Sequence, residues 1–173
     1  GLCATINYNL QNKTIEEILK NLEHRGPDSN GQFVSTEKYT VNFLHTRLEI
    51  LDLKMGTQPM FSNDKNYILI FNGEIYNFSE LRNELEEKGF NFYTNNSDTE
   101  VILNGYLCWG EDISLKLNGM WSFIIFDKKK NKIFFSRDRF GEKPLFYYFK
   151  NNTLIFSSEL QVYKNLDIDL NIN

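Results

Sequence analysis

Residues 120–127, MWSFIIFD, open a C-terminal third of the chain that consists mostly of apolar and aromatic segments. The segments KIFFSRD (132–138), PLFYYF (144–149) and TLIFSSE (153–159) follow. The gaps between them, KKKN, RFGEK and KNN, have the lengths and residues of turns, so the pattern predicts an antiparallel meander. Strands this apolar are typical of sheets that are covered on both faces or packed on one another, which leaves the helices outside.

Three segments upstream have the patterns of helices that flank such sheets. A capping box at Thr14 and Glu17 introduces an apolar stripe, and residues 76–89 carry leucines on one face before a glycine stop. A second capping box, Ser97 and Glu100, introduces a longer apolar run. The sequence therefore predicts an α+β fold with two mostly antiparallel sheets and flanking helices.

The composition limits the class of protein. The chain has 173 residues, which predicts one domain or one domain with a tail, and 41% apolar residues are enough for a core. A net charge of −4 with interspersed signs argues against a nucleic-acid arm or a polybasic membrane anchor. The apolar runs are too short to span a bilayer, and the N-terminus lacks the pattern of a signal peptide. We therefore expect a cytoplasmic location, with no membrane or nucleic-acid partner.

The sequence lacks the common motifs of nucleotide and metal chemistry. It contains no P-loop, no G-x-G-x-x-G and no S-G-G-x-D-type loop, which predicts that this chain does not handle ATP itself. Cys3 and Cys108 are not at zinc-ligand spacing, and neither are His24 and His45. No metal site is predicted, and both cysteines are expected to be reduced thiols.

Arg47 lies within the alternating strand pattern VNFLHTRLEILDL (41–53). An arginine in so apolar a strand needs an anionic partner, because an unpaired buried charge is strongly unfavourable. The residues alone leave two interpretations open. One is a structural ion pair, and the other is a guanidinium fork that grips a substrate carboxylate.

Two further clusters, around Asn72–Gly73 and around Asp98, are equally ambiguous when taken singly, whereas a third has one structural interpretation. Asn72 and Gly73 end the buried-type run YILIFNG; Asn-Gly is a strong hairpin signal, but an amide and a glycine N–H at a strand end can also donate to one oxyanion. Asp98 suits the first turn of a helix electrostatically, or it can receive a substrate ammonium. The stretch HRGPDSNG (24–31) is typical, on composition alone, of a helix exit and turn.

The order of these clusters along the chain points to one family. HRGPDSNG, RLEILDL, QPM, FNGEIYNFSELRNEL, SDTEVIL, GMWSFIIFD, RDRFGEKPLFYY and FSSEL together resemble the glutaminase domain of asparagine synthetase B-type enzymes, which are class II glutamine amidotransferases. The resemblance covers nearly the whole chain, and NGEIYN and RDRFGEKPL are its more specific elements. It implies the N-terminal-nucleophile fold, an αββα sandwich, in agreement with the layers that the pattern predicts.

The resemblance also implies a mechanism and a set of site residues. In the family, a cysteine at the mature N-terminus attacks the side-chain amide of glutamine, and its own α-amino group is the base. Proton exchange between the two groups costs little, because their ordinary pKa values are about 8 and about 8.5. Arg47 matches the residue that grips the α-carboxylate, Asp98 the acceptor of the α-ammonium, and Asn72 with Gly73 the oxyanion hole. The other matched pocket residues are Leu48, Glu49, Ile50, Leu51 and Glu74, and HRGPD and RDRFGEKP are interpreted as supporting loops.

The opening GLCA allows two registers for the nucleophile. In one, Gly1 and Leu2 match the family's Gly-Ile, and the cysteine immediately precedes Gly1. In the other, Cys3 is the nucleophile behind an uncleaved Gly-Leu extension. We favour the first, because the nitrogen of Cys3 is an amide that cannot act as a base, and because alanine follows Cys3 where the family has glycine. Cys3 is then expected to be a small, packed strand residue.

The expected function is that of the glutaminase domain of an asparagine synthetase-like amidotransferase. Residues 1–160 are predicted to form this domain, and residues 161–173 to begin a linker toward a C-terminal synthetase domain of the same polypeptide. That second domain would use ATP and Mg²⁺ to amidate aspartate with the released ammonia; no cofactor is expected in the glutaminase domain itself. A homodimer is left open. Two alternatives are also left open: a silent glutamine-binding or regulatory module without the N-terminal cysteine, and an amidotransferase with a different acceptor.

Overall fold

The computed structural model describes residues 1–48 and 56–169, which form two units: 1–48 with 144–169, and 56–143. The elements in chain order are β1 (Leu2–Ile6), α1 (Asn12–Leu22), β2 (Ser29–Ser35), β3 (Val41–Arg47), β4 (Met60–Phe61), β5 (Tyr67–Ile75), α2 (Phe78–Glu87), α3 (Asp98–Trp109), α4 (Ile113–Lys116), β6 (Gly119–Asp127), β7 (Lys132–Arg137), β8 (Phe146–Lys150) and β9 (Thr153–Ser157), with 3₁₀ turns at Glu23–Arg25, Gly110–Asp112 and Leu160–Asn165.

The first unit is built on a five-stranded sheet in the order β2-β3-β1-β9-β8, and every neighbouring pair is antiparallel. The amphipathic stripe of α1 covers this sheet. Ile18 and Leu22 of α1 pack with Cys3 and Leu44 of the sheet and with Val162 of the C-terminal 3₁₀ turn. Strand β1 is therefore central in its sheet and covered by a helix.

The second unit is built on a four-stranded antiparallel sheet in the order β4-β5-β6-β7. Helices α2 and α3 pack with this sheet around a larger apolar core. Leu85 and Ile102 from the helices pack with Phe71, Ile75 and Phe123 from the sheet. The predicted α+β class, with two antiparallel sheets and flanking helices, is confirmed.

The predicted C-terminal meander is wrong in its connectivity. The β6–β7 hairpin belongs to the second unit, whereas the β8–β9 hairpin belongs to the first. The segment RFGEK does not form a hairpin turn, because the carboxylate of Asp138 accepts the backbone N–H groups of Phe140, Glu142 and Lys143. Those N–H groups are thus held within the loop.

The two capping boxes have different outcomes. The one at Thr14 is wrong, because α1 begins at Asn12 after an N-cap residue, Gln11, whose side chain makes no capping bond. The one at Ser97 is half confirmed, since its Oγ accepts from the backbone N–H of Glu100 at 3.4 Å. The Glu100 carboxylate instead accepts the backbone N–H groups of Tyr93 and Thr94, both at 2.9 Å.

The described part of the predicted linker, residues 161–169, contributes to the first unit. Val162, Tyr163 and Leu166 are buried in the core beneath α1. The Tyr163 hydroxyl also donates to the carbonyl of Phe146, at 2.9 Å. The start of a linker within this segment stays a prediction.

Candidate active site

Asn72 and Gly73 lie inside strand β5, so the hairpin-turn interpretation of Asn-Gly is wrong. Strand β5 continues to Ile75, and Gly73 lies opposite Trp121 of β6. A Cβ atom on residue 73 would lie 2.2 Å from the Met120 oxygen and 2.8 Å from the Trp121 Cα. Only glycine allows the two strands to approach this closely.

The Gly73 N–H points away from β6. Trp121 directs its own backbone groups to the other side: its N–H donates to Asp138 Oδ2 at 3.3 Å, and its carbonyl accepts from the Asp138 N–H at 2.9 Å. Gly73 and Trp121 are therefore a pair without mutual hydrogen bonds, because backbone groups alternate in direction along an antiparallel strand. The N–H groups of Phe71, Gly73 and Ile75 consequently share the opposite edge of β5.

Strand β4 covers only the beginning of that edge, through Met60 and Phe61. Beyond it, side chains replace a strand. The Phe71 N–H donates to Gln58 Oε1 at 2.6 Å, and the Ile75 N–H donates to Asp98 Oδ2 at 3.1 Å. Between them, the Gly73 N–H has no acceptor within the described part of the chain.

A second donor without a partner belongs to the adjacent residue. The Nδ2 of Asn72 is buried, and it makes no hydrogen bond among the residues that the structure describes. Buried polar groups are nearly always paired, and leaving one unpaired costs roughly 1–3 kcal/mol. The Nδ2 of Asn72 and the N–H of Gly73 are thus two neighbouring donors that a ligand oxygen could bind.

Asp98 begins α3 and lies beside this edge of β5. Its side chain is almost fully buried, and that burial, together with the negative charge of exposed Glu74, raises its pKa to about 6. The N–H groups of Ile75 and Thr99 oppose the shift without cancelling it. A cation placed at Asp98 would relieve this burial penalty, since an opposite charge favours the ionised form. The structure therefore brings together four sequence-predicted residues: Asn72, Gly73, Glu74 and Asp98.

Arg47 ends β3 in the other unit, where only 7% of its surface is exposed. A loop from the HRGPD segment packs directly on its backbone. A Cβ on residue 26 would lie 2.4 Å from the Arg47 carbonyl carbon and 2.6 Å from its nitrogen, so this crossing also requires glycine. The Asp28 N–H donates to the Arg47 carbonyl at 3.1 Å. The HRGPD segment thus packs against the backbone of Arg47, a contact consistent with the supporting loop that the sequence predicts.

The backbone of Gly1 is fixed next to Arg47. Gly1 donates to the carbonyl of Thr46 at 2.7 Å, and the Thr46 N–H donates to the Gly1 carbonyl at 2.9 Å. Together with the pairing of Leu2 and His45, these bonds extend the β1–β3 ladder to its first residue. The next position in this register, before Gly1, would face Arg47.

The remaining predicted residues are placed as follows. Cys3 is fully buried among apolar side chains, which raises the pKa of its thiol to about 12, so its expected packing role is confirmed. Leu48 follows β3 and is exposed. Glu49, Ile50 and Leu51 lie outside the described residues.

Sequence reasoning missed two polar side chains, one that holds the site strand β5 and one that holds the neighbouring strand β6. Gln58, in the QPM segment, binds the Phe71 N–H, and Asp138, in RDRFGEKP, binds the Trp121 N–H. The sequence shows a glutamine and an aspartate in family-like segments, but not which backbone donor each one meets. A cavity of about 570 Å³ between β4 and α3 includes Thr57, Pro59 and Glu100 in its lining, but none of the predicted site residues.

Comparisons with known proteins show the family of this chain. The model of a family described as "Glutamine amidotransferase domain" matches residues 1–173. This chain belongs to that family. The Bacillus subtilis protein "Asparagine synthetase [glutamine-hydrolyzing] 1" is 44% identical to this amidotransferase domain over 149 residues, which are 86% of this chain and 23% of the relative. A second B. subtilis protein of that name, number 3, is 39% identical over 93% of this chain and 26% of its own length.

A solved structure shows the same fold. The glutamine phosphoribosylpyrophosphate (PRPP) amidotransferase from B. subtilis, complexed with ADP and GMP, matches 95% of this domain with a TM-score of 0.75 at 20% identity. The match covers 43% of that chain. The amidotransferase domain thus spans about a quarter of the curated relatives and less than half of the solved one.

Two other kinds of feature are absent within residues 1–48 and 56–169. No helix there is long and apolar enough to cross a membrane. In the same ranges, no group of three or more His, Cys, Asp or Glu side chains is arranged to hold a metal ion.

Proposed function

We propose that this domain hydrolyses glutamine to glutamate and ammonia, and that the ammonia serves an ATP-dependent synthetase domain of the same polypeptide that amidates aspartate. The observation that carries the proposal is the pair of unsatisfied donors, Gly73 N–H and Asn72 Nδ2. The oxyanion of a tetrahedral intermediate would supply their missing acceptor. Each donor of this kind is worth roughly 3 kcal/mol of barrier.

The two charges of the glutamine backbone are assigned to Arg47 and Asp98. Arg47 would bind the α-carboxylate, for which a planar guanidinium is geometrically suited. Asp98 would bind the α-ammonium, and its raised pKa supports this role because a cation there offsets a burial penalty. Reading both charges would discriminate against simple amides, since each rejected analogue leaves a polar group unpaired.

The nucleophile in this proposal is a cysteine immediately before Gly1. The β1–β3 register would place it opposite Arg47, and cross-strand neighbours have Cβ atoms about 5 Å apart. Its α-amino group would take the thiol proton and later pass it to the leaving ammonia. The thiolate would attack the amide carbon to form a thioester, and water would then release glutamate. Burial excludes Cys3 from this role.

The acceptor and the second domain rest on the names of the relatives, whose chains extend well beyond the matched segment. ATP and Mg²⁺ would bind in that further domain. Residues 161–173 would begin the connection to it, and the cytoplasm would be its location.

The test uses the full-length protein. Intact mass is measured before and after treatment with a glutamine-like electrophile, and ammonia release from glutamine is followed with and without aspartate and ATP. We expect one adduct, on a cysteine preceding Gly1, and glutamine hydrolysis by the same preparation. A protein that neither forms this adduct nor releases ammonia would be the silent module, and the proposal would be wrong.

Variants separate the proposed roles. Asn72→Ala should lower kcat for glutamine by about 100-fold, because the donor acts on the transition state. Arg47→Ala and Asp98→Ala should mainly raise KM. Asn104→Ala, on α3 and outside the site, is the matched control and should leave both constants unchanged.

A further inference from the structure

We infer that Gln58 is a positioning residue of the glutaminase reaction: it fixes the β5 backbone so that the Gly73 N–H is presented to the oxyanion. The inference rests on the proposed function. It concerns a side chain that contacts no substrate group in that proposal. Its contact is with Phe71, two residues before Gly73.

The edge of β5 is only partly covered by a neighbouring strand. Strand β4 pairs with β5 only as far as Leu69, through Met60. If β4 continued along this edge, its carbonyls would take the N–H groups of Phe71 and Gly73 in turn, and no donor would be left. An oxyanion hole on this strand therefore requires the ladder to stop and a different acceptor to hold Phe71.

Gln58 supplies the acceptor for the Phe71 N–H. Its Oε1 lies 2.6 Å from the Phe71 nitrogen, a short contact for a neutral amide hydrogen bond. Gln58 comes two residues before Met60, so its side chain takes over where the backbone pairing ends. A side chain in this position holds one N–H and leaves the next one open.

Gln58 and Asp98 each hold one backbone N–H of the site segment, and of these two anchors Gln58 is the one that does not depend on the charge of the substrate. The other anchor of this segment, Asp98, holds the Ile75 N–H but is also proposed to meet the substrate ammonium. Its interactions therefore change with glutamine occupancy and protonation. Gln58 does not titrate, and a neutral acceptor adds no negative charge near a developing oxyanion. The Gly73 peptide lies between these two anchors and against the backbone of Trp121.

The inference predicts an effect on turnover rather than on binding. In Gln58→Met, the side chain keeps a similar length but loses the oxygen acceptor, so the Phe71 N–H is released and the Gly73 N–H loses its alignment. We expect kcat for glutamine to fall about 10- to 30-fold and KM to change less than about threefold, a smaller loss than removal of a whole oxyanion donor. Gln58→Glu keeps an acceptor oxygen and should restore the exchange protection of the Phe71 N–H, whereas its negative charge near the developing oxyanion should limit the recovery of kcat to a part of the loss.

The experiment measures glutaminase kcat and KM for the full-length parent, Gln58→Met, Gln58→Glu and a control, Gln32→Met. Gln32 is exposed on β2 of the other unit, so its variant should match the parent. Rates are divided by the number of sites that a glutamine-like electrophile labels, which removes any misfolded fraction. Backbone hydrogen exchange of the Phe71–Ile75 segment is measured on the same four proteins and should be at least about tenfold faster in Gln58→Met alone.

The outcomes are distinguishable. A parent without glutaminase activity would overturn the proposed function and this inference together. An active parent with unchanged kcat in Gln58→Met would overturn only the inference, as would a loss expressed in KM. The inference would also fail if Gln58→Glu were no better than Gln58→Met in both turnover and exchange protection, because the acceptor oxygen would then be irrelevant.

Discussion

At the scale of single residues, the binding role proposed for Asp98 comes with a structural cost. Its carboxylate is buried beside Ile75 and near Glu74, and its pKa is raised to about 6. In the protein without glutamine, no side chain among residues 1–48 and 56–169 forms an ion pair with Asp98, and burial disfavours its ionised form. The same environment would favour binding of a substrate ammonium, so the proposed function and the stability of the protein make opposite demands at this position.

The kinetic consequence is a steeper acid limb of kcat/KM. The proposed α-amino base has an ordinary pKa of about 8, so its protonation gives log kcat/KM a slope of one as pH falls below about 8. Asp98 must be ionised to bind the substrate ammonium, and its pKa is about 6. Below about pH 6 both groups become protonated, so the slope should rise from one to two. In Asp98→Asn, the slope should stay at one and KM should be raised at every pH. The measurement is a kcat/KM profile from about pH 5 to about pH 9. A parent profile with a single slope would contradict the assignment.

The stability consequence has the opposite direction. The folded pKa of about 6 exceeds the ordinary value of about 4, so the stability associated with Asp98 is fully present below about pH 4 and is lost as pH rises through about 6. Glutamine-free Asp98→Asn does not suffer this loss and should be the more stable protein at pH 7, on the order of 1–3 kcal/mol. The difference should disappear near pH 4 in urea unfolding experiments. An equally large gain at both pH values would assign the effect to packing.

The sequence predicted the chemical role of single residues better than it predicted their surroundings in the fold. The burial of Cys3 followed from its strand pattern and from its blocked nitrogen, and the structure confirms it. The isolated Asn72–Gly73 pair was misleading, because Gly73 serves the close approach of Trp121 rather than a turn. The open N–H of Gly73 depends on where β4 ends, and pairing between distant segments is not visible in either segment alone.

At the scale of elements, the loop from Arg137 to Lys143 is organised around one carboxylate. Asp138 accepts the backbone N–H groups of Phe140, Glu142 and Lys143 at 2.9–3.1 Å, and that of Trp121 at 3.3 Å. Burial alone would raise the pKa of Asp138, but these four donors hold it below its ordinary value. The loop therefore braces β6 opposite the site strand.

Asp138→Asn should destabilise this loop. The amide offers only one acceptor oxygen and turns an NH₂ group toward backbone donors. The free energy of unfolding at pH 7 should therefore fall by roughly 2–4 kcal/mol. Because the folded pKa is depressed, the contribution of the carboxylate is present above the ordinary value of about 4 and is lost as pH falls through the folded value, so the gap between parent and variant should narrow in acid. Urea unfolding at neutral and acidic pH measures both effects. Asp112→Asn, an exposed position, is the matched control.

The bonds of Asp138 explain why the sequence predicted two of the three C-terminal turns correctly and the third one wrongly. Turn lengths and residues placed the hairpins at KKKN and KNN, and Asn131, Asn151 and Asn152 do adopt left-handed backbone there. The RFGEK gap has a similar length and composition, yet Asp138 gathers its N–H groups and the chain continues into another sheet. The difference is a set of side chain-to-backbone bonds, which composition does not specify.

At the scale of the whole molecule, Cys3 reports on global opening of its unit. It lies in β1, the central strand of a five-stranded sheet, and pairs with Leu44 on one side and Ser157 on the other. The helical layer covers it as well, and burial raises its pKa to about 12. Alkylation needs an exposed thiolate. Labelling of Cys3 should therefore require unfolding of the sheet, whereas a cysteine before Gly1 should react in the native state.

The measurement is timed alkylation of the full-length protein with iodoacetamide, followed by peptide mapping. We expect the cysteine proposed to precede Gly1 to react first, the half-buried Cys108 more slowly, and Cys3 at a rate that follows urea-induced global unfolding. Cys3→Ala is the control; it should keep glutaminase kcat/KM within about threefold, at a stability cost of roughly 1 kcal/mol for the smaller side chain. Rapid native labelling of Cys3, with loss of glutaminase activity in Cys3→Ala, would instead support the register in which Cys3 is the nucleophile. The order of the reactions thus distinguishes a central structural thiol from a catalytic one.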